Sequence, residues 1–293
     1  MRARHSSAPF ITNCPIGCAA GLQSTELVLP EGPLRACPEC GQLVSSVDES
    51  GYWASMKEFD TEAGTKPEEG SVARRERRAE KILGAIRAAL GGGERRISLL
   101  DVGCSSGAFM TAARARGCDV QGVEPAPKAA KAAEAAGFSV FCGTLEQSAF
   151  SEASFDAITV LEVIEHLRDP LSLLRECRRI LKADGVLAIG TGNAGSLTLR
   201  VLGANWDYLQ IHRHGGHISF FNPHSIRMLA QRTGFVVERI RTRRVSLAVD
   251  GASKRFRDRA LKAAGEVIAG LVAITGQGHD LLALLRLSDS VIE

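Results

Sequence analysis

Aromatic residues are scarce in this 293-residue chain, at 5% with two tryptophans and two tyrosines, and long apolar runs are missing altogether. No window approaches the roughly 18 to 20 consecutive apolar residues of a membrane span, and the polar start, Met1 to Pro9, lacks the apolar core of a secretory signal. Charge of one sign is lacking too. Thirty-six Lys and Arg against 33 Asp and Glu leave a net +3, modest for an RNA binder, and no motif with stacked aromatics of the RNA-recognition type is present. Thirty glycines fall far short of the about one-third of a collagen, and a hydrophobic content of 45% excludes a disordered chain. Eight cysteines spread over this length do not make a disulfide knot. A reducing, cytoplasmic setting is the expectation, in which cysteines serve as ligands or buried thiols.

The length allows one large domain with an appendage. Cys14, Cys18, Cys37 and Cys40 form C-x3-C, an 18-residue spacer, then C-x2-C. Each close pair can supply two thiolates from one tight turn, which fits a tetrahedral zinc ribbon or knuckle, and a module this short lacks the apolar surface to fold without a staple. Residues 1–45 are therefore expected to be a zinc ribbon. Residues 46–72, polar and acidic with little periodic apolar content, read as a linker or cover. The remaining cysteines, Cys104, Cys118, Cys142 and Cys177, read as buried thiols.

From residue 73 the pattern is α/β. An amphipathic helix from Ser71 to Leu90 ends in Gly91-Gly92-Gly93. Strands are expected at Ile97–Val102, Asp119–Val123, Phe138–Phe141, Phe155–Leu161 and Gly185–Gly190, with a helix at Pro127–Ala136. Alternation of this kind gives a mostly parallel sheet covered on both faces. Further on, Pro223–Gly234 reads as a helix, Phe235–Leu247 and Asp280–Leu287 as strands, and Arg255–Ala273 as a helical insert. No internal repeat is found.

The stretch LLDVGCSSGAF, Leu99 to Phe109, is a buried strand running into a small-residue loop and a helix. Small residues at 103, 105 and 107 let the backbone approach a ligand, and the helix start offers unpaired N–H groups. Asp101 stands at the strand end. A second strand ends in Glu124 about twenty residues on, where a carboxylate can accept both ribose hydroxyls. The loop has no phosphate-loop lysine, so a nucleoside triphosphate is not expected.

LLDVGCSSGAF, VQGVEPAPKAAKAA, SFDAITVLEVIEHLRDP and ILKADGVLAIGT, in this order, resemble the successive motifs of class I S-adenosylmethionine-dependent methyltransferases. The resemblance covers about Ser98 to Leu287 and implies a Rossmann-like sheet whose last strand is antiparallel. It implies that Asp101, Gly103, Cys104, Ser105 and Gly107 border the cofactor's methionine moiety. Glu124 and Pro125 would then border the ribose, Thr144 and Leu145 the adenine, and Leu161 the far side. Ser105 departs from the family pattern by standing where the loop's middle glycine is usual. Sugar and rRNA methyltransferases that carry four-cysteine N-terminal modules add to the zinc expectation.

Glu162, Glu165 and His166 form E-x-x-E-H directly after the fourth strand, and a helix there would put all three on one face at the carboxyl edge of the sheet. His212, His214 and His217 follow the fifth strand. Three readings stay open at this point. In one, His166 or His217 is a general base oriented by Glu165. In another, Glu162, Glu165, His166 and His217 hold a divalent cation, a pattern that resembles small-RNA 2′-O-methyltransferases and ubiquinone-pathway O-methyltransferases. The third is a structural role. Trp206 and Tyr208 are candidates for an aromatic wall against the acceptor, and Phe220 and Phe221 for that wall or the core.

The expected function is O-methylation of a small-molecule, sugar or lipid/quinone-type intermediate. Alternatives are an RNA methyltransferase that holds RNA with its ribbon and arginine runs, or a cofactor-binding scaffold without turnover. The runs RRERRAEK from residue 74, RTRR from 241 and KRFRDR from 254 are usually solvated faces. Residues 254–275, with a basic start and an apolar body, also fit contact with a membrane surface, a dimer partner or the core.

Overall fold

The computed structural model describes residues 8–57, 72–211, 215–245, 272 and 274–288. It begins with three antiparallel strands, β1 (Gln23–Leu29), β2 (Gly32–Ala36) and β3 (Leu43–Val44), followed by α1 (Glu49–Lys57) and α2 (Val72–Ala89). Strand and helix then alternate: β4 (Ile97–Val102), α3 (Ala108–Arg114), β5 (Cys118–Glu124), α4 (Pro127–Ala135), β6 (Ser139–Cys142), β7 (Phe155–Leu161), α5 (Pro170–Ile180) and β8 (Leu181–Gly192). The last third holds α6 (Leu197–Leu202), β9 (Ser219–Phe220), α7 (Pro223–Arg232), β10 (Phe235–Arg243) and β11 (Asp280–Leu287).

The main sheet has the order β10-β11-β8-β7-β4-β5-β6. Its five strands from β4 to β8 are parallel, whereas β11 is antiparallel to both β8 and β10. This is the mixed, Rossmann-like sheet that the motif order implies. The central strand β7, FDAITVL, is apolar almost throughout because helices cover both of its faces, and six of its seven residues are buried. β8 starts four residues earlier than its apolar pattern suggests, since Leu181 already pairs with Phe155 ahead of a register shift. β10 stops at Arg243, short of the expected Leu247, where Arg244 takes a φ of +63°. The helical insert expected over 255–273 lies, Val272 apart, outside the described residues. Among the described residues no helix is long and apolar enough to cross a membrane.

The N-terminal segment joins the rest more closely than an appendage on a linker would. β3 pairs with β9, so a strand from the last third of the chain completes a four-stranded sheet, β1-β2-β3-β9. Within the expected linker or cover, Glu49–Lys57 is a helix with Tyr52 and Ser55 buried. Its sequence hides this because Tyr52 and Met56 alone carry the packing, against Ile11, Val44, Val47, Ile211 and Ile218. The cysteine pairs belong to the largest core cluster, with Ile16 beside Phe221, Ile226 and Leu229. A fully buried Ile or Phe is worth about 1.5–3 kcal/mol, so this seam adds materially to the fold.

Candidate active site

The carboxyl ends of β4, β5, β7 and β8 form one rim. Asp101 pairs across the sheet with Thr159, whose hydroxyl donates to Asp101 Oδ1 at 2.7 Å. Among the described residues no cationic side chain pairs with Asp101. Burial, helped by the charge of Glu124, pushes the Asp101 carboxyl up to about 7 against the pull of Thr159. Gly103 and Cys104 both donate their amides to the Val123 carbonyl, which folds the loop back over the end of β5. Gly103 has a φ of +74°, and a Cβ there would come within 2.3 Å of Val163. Ser105, the departure from the glycine pattern, adopts a left-handed φ of +49° all the same. The loop keeps its shape, and the missing glycine costs only local strain.

Glu124 is fixed before any ligand arrives. Its Oε2 accepts from the Ser105 amide at 2.8 Å and its Oε1 from the Ala126 amide at 2.9 Å. Burial raises its pKa, and those two amides oppose the rise. Pro125 beside it is exposed. The Gly143 amide donates to the Glu124 carbonyl, bringing the following turn to the same rim, with Thr144 exposed at its cap and Leu145 buried under it. Leu161 is half-buried at the end of β7, and Gly107 is buried at the start of α3.

The E-x-x-E-H segment is not the helix expected of it. Glu162 turns with a φ of +55°, and Ile164–His166 form a single 3-10 turn. Both carboxylates nonetheless meet at the Tyr208 hydroxyl, which lies 3.4 Å from Glu162 Oε2 and 2.5 Å from Glu165 Oε1. Glu162 pairs with Arg78 on α2, and desolvation together with the charge of Glu165 pushes its carboxyl up to about 7 against the pull of Arg78. Glu165 is fully buried; Tyr208 Oη donates to its Oε1 at 2.5 Å and Thr191 Oγ1 to its Oε2 at 3.0 Å. Burial raises its pKa, and both hydroxyls lower it. His217 lies against this carboxylate, with Nε2 3.9 Å from Glu165 Oε1, and packs on His166 with ring centroids 4.7 Å apart.

Side-chain ligand atoms of Glu165, His166 and His217 lie within 4.8 Å of one another. The expected four-residue cation group thus loses Glu162, which faces Arg78. His212 and His214 lie outside the described residues. Trp206 and Tyr208 are not an open aromatic wall: both are buried and stacked, with centroids 5.1 Å apart. Tyr208 is instead the hub of the cluster. It accepts the Gly192 amide at 2.7 Å and lies 2.9 Å from the Thr191 hydroxyl. A side chain at position 192 would strike its ring, so only glycine admits it there. Phe220 and Phe221 are core residues. Arg78, Thr191 and the hub role of Tyr208 escape sequence reasoning. Arg78 sits in a run that reads as a solvated helix face, and the other two have no spacing relation to Glu165.

The N-terminal cysteines converge. All four thiols are buried and lie within 4.8 Å of one another, with Cys14 and Cys40 sulfurs 3.5 Å apart. That is too long for a disulfide bond of about 2.05 Å and close to the edge, about 3.8 Å, of a tetrahedron with 2.3 Å metal–sulfur bonds. Of the other cysteines, Cys104, Cys118 and Cys177 are buried, while Cys142 is exposed at the end of the edge strand β6, contrary to expectation.

Comparison with known proteins agrees with this layout. A family model described as a methyltransferase domain matches residues 74–240. Ubiquinone biosynthesis O-methyltransferase of Actinobacillus pleuropneumoniae is 39% identical over 106 residues, 32% of this chain and 45% of that protein. The enzyme of the same name from Thiobacillus denitrificans is 31% identical over 153 residues, 48% of this chain and 66% of that protein. The match thus spans about half to two thirds of these relatives. A SAM-dependent methyltransferase from Thermotoga maritima superposes with a TM-score of 0.54 at 20% identity, covering 79% of this chain and 99% of that one. Burkholderia thailandensis 1,6-didemethyltoxoflavin-N1-methyltransferase gives 0.53 at 16%, covering 86% and 98%; at such identities the likeness is one of fold. With the model's match running through more than half the chain, from α2 into β10, this protein belongs to the methyltransferase-domain family.

Proposed function

We propose that the chain transfers a methyl group from S-adenosylmethionine to a ring hydroxyl of a small quinone-type acceptor. The observation that carries this reading is the orientation of His217. Its Nδ1 lies 2.9 Å from the Tyr208 carbonyl, which can only accept, so the ring proton sits on Nδ1. Nε2 is left to face the Glu165 carboxylate. The Glu165 carboxylate opposite Nε2 favours positive charge on the ring, and a hydroxyl proton taken up there would supply it. A divalent cation held by Glu165, His166 and His217 would meet the same need, and either arrangement activates an acidic hydroxyl. The names of the O-methyltransferase relatives support the same acceptor class.

S-adenosylmethionine would supply an electrophilic methyl group on a sulfonium. The chain's residues fit it. Asp101 is a buried carboxylate with no cation beside it among the described residues, suited to an ammonium, and Glu124 is held by two amides with lone pairs left for ribose hydroxyls. Gly103, Cys104, Ser105 and Gly107 would flank the methionine moiety, Pro125 the ribose, Thr144 and Leu145 the adenine, and Leu161 the far side. In the methyl transfer His217 Nε2 would take up the proton of the acceptor hydroxyl. Glu165 would stabilise the imidazolium. Alignment of the acceptor is the larger contribution, since the donor is already reactive. The four cysteines would hold a structural zinc ion, and their burial and mutual distances support that assignment.

A labelled methyl-transfer assay with a catechol or hydroxyquinol acceptor, run with and without chelator, tests this reading. Label in the acceptor fraction supports it, and label confined to RNA overturns it. Full activity in chelator excludes the divalent cation and leaves His217 as the base.

A further inference from the structure

The cysteine module is bonded to the acid–histidine pair by a short, continuous path. Val44 pairs with Ser219 and Leu43 with Phe220. The next residue of the module, Ser45, donates its amide to the Ile218 carbonyl at 2.9 Å, and Ile218 donates its own amide to the Glu165 carbonyl at 2.9 Å. His217 precedes Ile218 directly. At the other end of β9, Asn222 reaches into the cysteine loop, where its Nδ2 donates to the carbonyls of Gly41 at 2.9 Å and Cys40 at 3.3 Å. Its Oδ1 meanwhile accepts the amides of His224 at 2.8 Å and Ser225 at 3.0 Å, capping α7. Residues 217–221 between these two anchors are all buried.

We propose that Asn222 is a positioning residue, through which the four-cysteine knuckle sets the place of His217 against Glu165. The module then works inward, on the acceptor site of its own chain. The stretch from His217 to Asn222 is a strut clamped at both ends by the module, at Ser45 and at the Cys40–Gly41 turn. A cap alone needs only an acceptor at this position, which Ser and Asp provide equally well. Asn adds the two donations to the knuckle, and Gly41, with a φ of +67° and a would-be Cβ 3.2 Å from Asn222 Nδ2, gives it room. The inference rests on the Glu165–His217 pair acting on the acceptor, and its test does not depend on turnover alone.

The test compares Asn222→Ser and Asn222→Asp with the parent chain. Both keep a capping oxygen and lose the amide nitrogen that donates to Cys40 and Gly41; the Ser hydroxyl is a shorter donor engaged in the cap, and Asp turns a carboxylate on the two carbonyls. Nitrogen-15 spectra of the histidine rings report the Nδ1–H tautomer of His217, metal analysis reports zinc per chain, and kinetics report kcat apart from the cofactor KM. The expected result is parent-like zinc content and cofactor KM, a His217 ring that exchanges between tautomers, and a kcat lower by about tenfold or more, as slight misplacement of reacting groups produces. A fixed Nδ1–H tautomer with parental kcat in Asn222→Ser overturns the proposal, whether or not the Asp variant folds. A tautomer change in a protein whose parent methylates no hydroxyl acceptor upholds the positioning and overturns the proposed function instead.

Discussion

Tyr208 holds Glu165 and His217 at once: its hydroxyl donates to Glu165 Oε1 at 2.5 Å while its carbonyl faces His217 Nδ1 at 2.9 Å. One residue thereby holds the acid in place and sets the tautomer of the base. Tyr208→Phe keeps the carbonyl and the ring but removes the hydroxyl, leaving the buried Gly192 amide and one Glu165 oxygen without it. A loss of about 1–3 kcal/mol in denaturant unfolding is expected. Turnover should fall with little change in cofactor affinity; parental stability and kcat would refute the hub role.

Asp101 predicts how stability varies with pH in the protein without cofactor. Its folded pKa of about 7 lies above the ordinary 3.8. The folded state therefore binds the proton more tightly than the unfolded chain, and this contribution is complete below about 4 and lost as pH rises towards 7. Glu162 acts in the same direction. Thermal melts between pH 4 and 8 should show a decline that Asp101→Asn flattens in part. If the ammonium of S-adenosylhomocysteine pairs with Asp101, that ligand should raise the melting temperature most above pH 7.

Arg78 and Glu162 are both partly exposed, at 46% and 38% of their side chains. Arg78→Met should therefore cost less than about 1 kcal/mol of stability. Without the guanidinium the charged form of Glu162 loses support, so its pKa rises. If Glu162 must be ionised for turnover, the acid limb of the pH–rate profile moves to higher pH; an unmoved limb separates the pair from the reaction.

The cysteine cluster predicts one zinc ion per chain, measurable by elemental analysis of the purified protein. Cys37→Ser should lower zinc content and melting temperature together, with the N-terminal strands exchanging amide hydrogens first. A folded parent without zinc would remove the assignment.

The cofactor rim is legible in the sequence because it is local. Asp101, Gly103 and Ser105 lie on one strand–loop–helix run, and Glu124 ends the next strand in the register that this run implies. The acid–histidine cluster is legible only in part. Glu162 and Glu165 do come together at the Tyr208 hydroxyl, but through a left-handed turn at Glu162 and not through a helix, and Glu162 gains Arg78 as a partner that no spacing announces. Arg78, Thr191 and Tyr208 come from three separate elements, and no periodicity relates them. The cysteine spacing marks the thiol cluster, while the two-residue strands β3 and β9, which join it to the main domain, are too short to leave a pattern.

The β3–β9 pairing has a consequence for how the chain is made. The cysteine loops leave the ribosome before β9, the strand that completes their sheet, which is synthesised about 175 residues later. Until then the edge of β3 is open and Cys37 and Cys40 lack the cover of Phe221 and α7. A pairing so distant in sequence closes late, so the module should resist proteolysis later than the main sheet during refolding, although it is translated before that sheet.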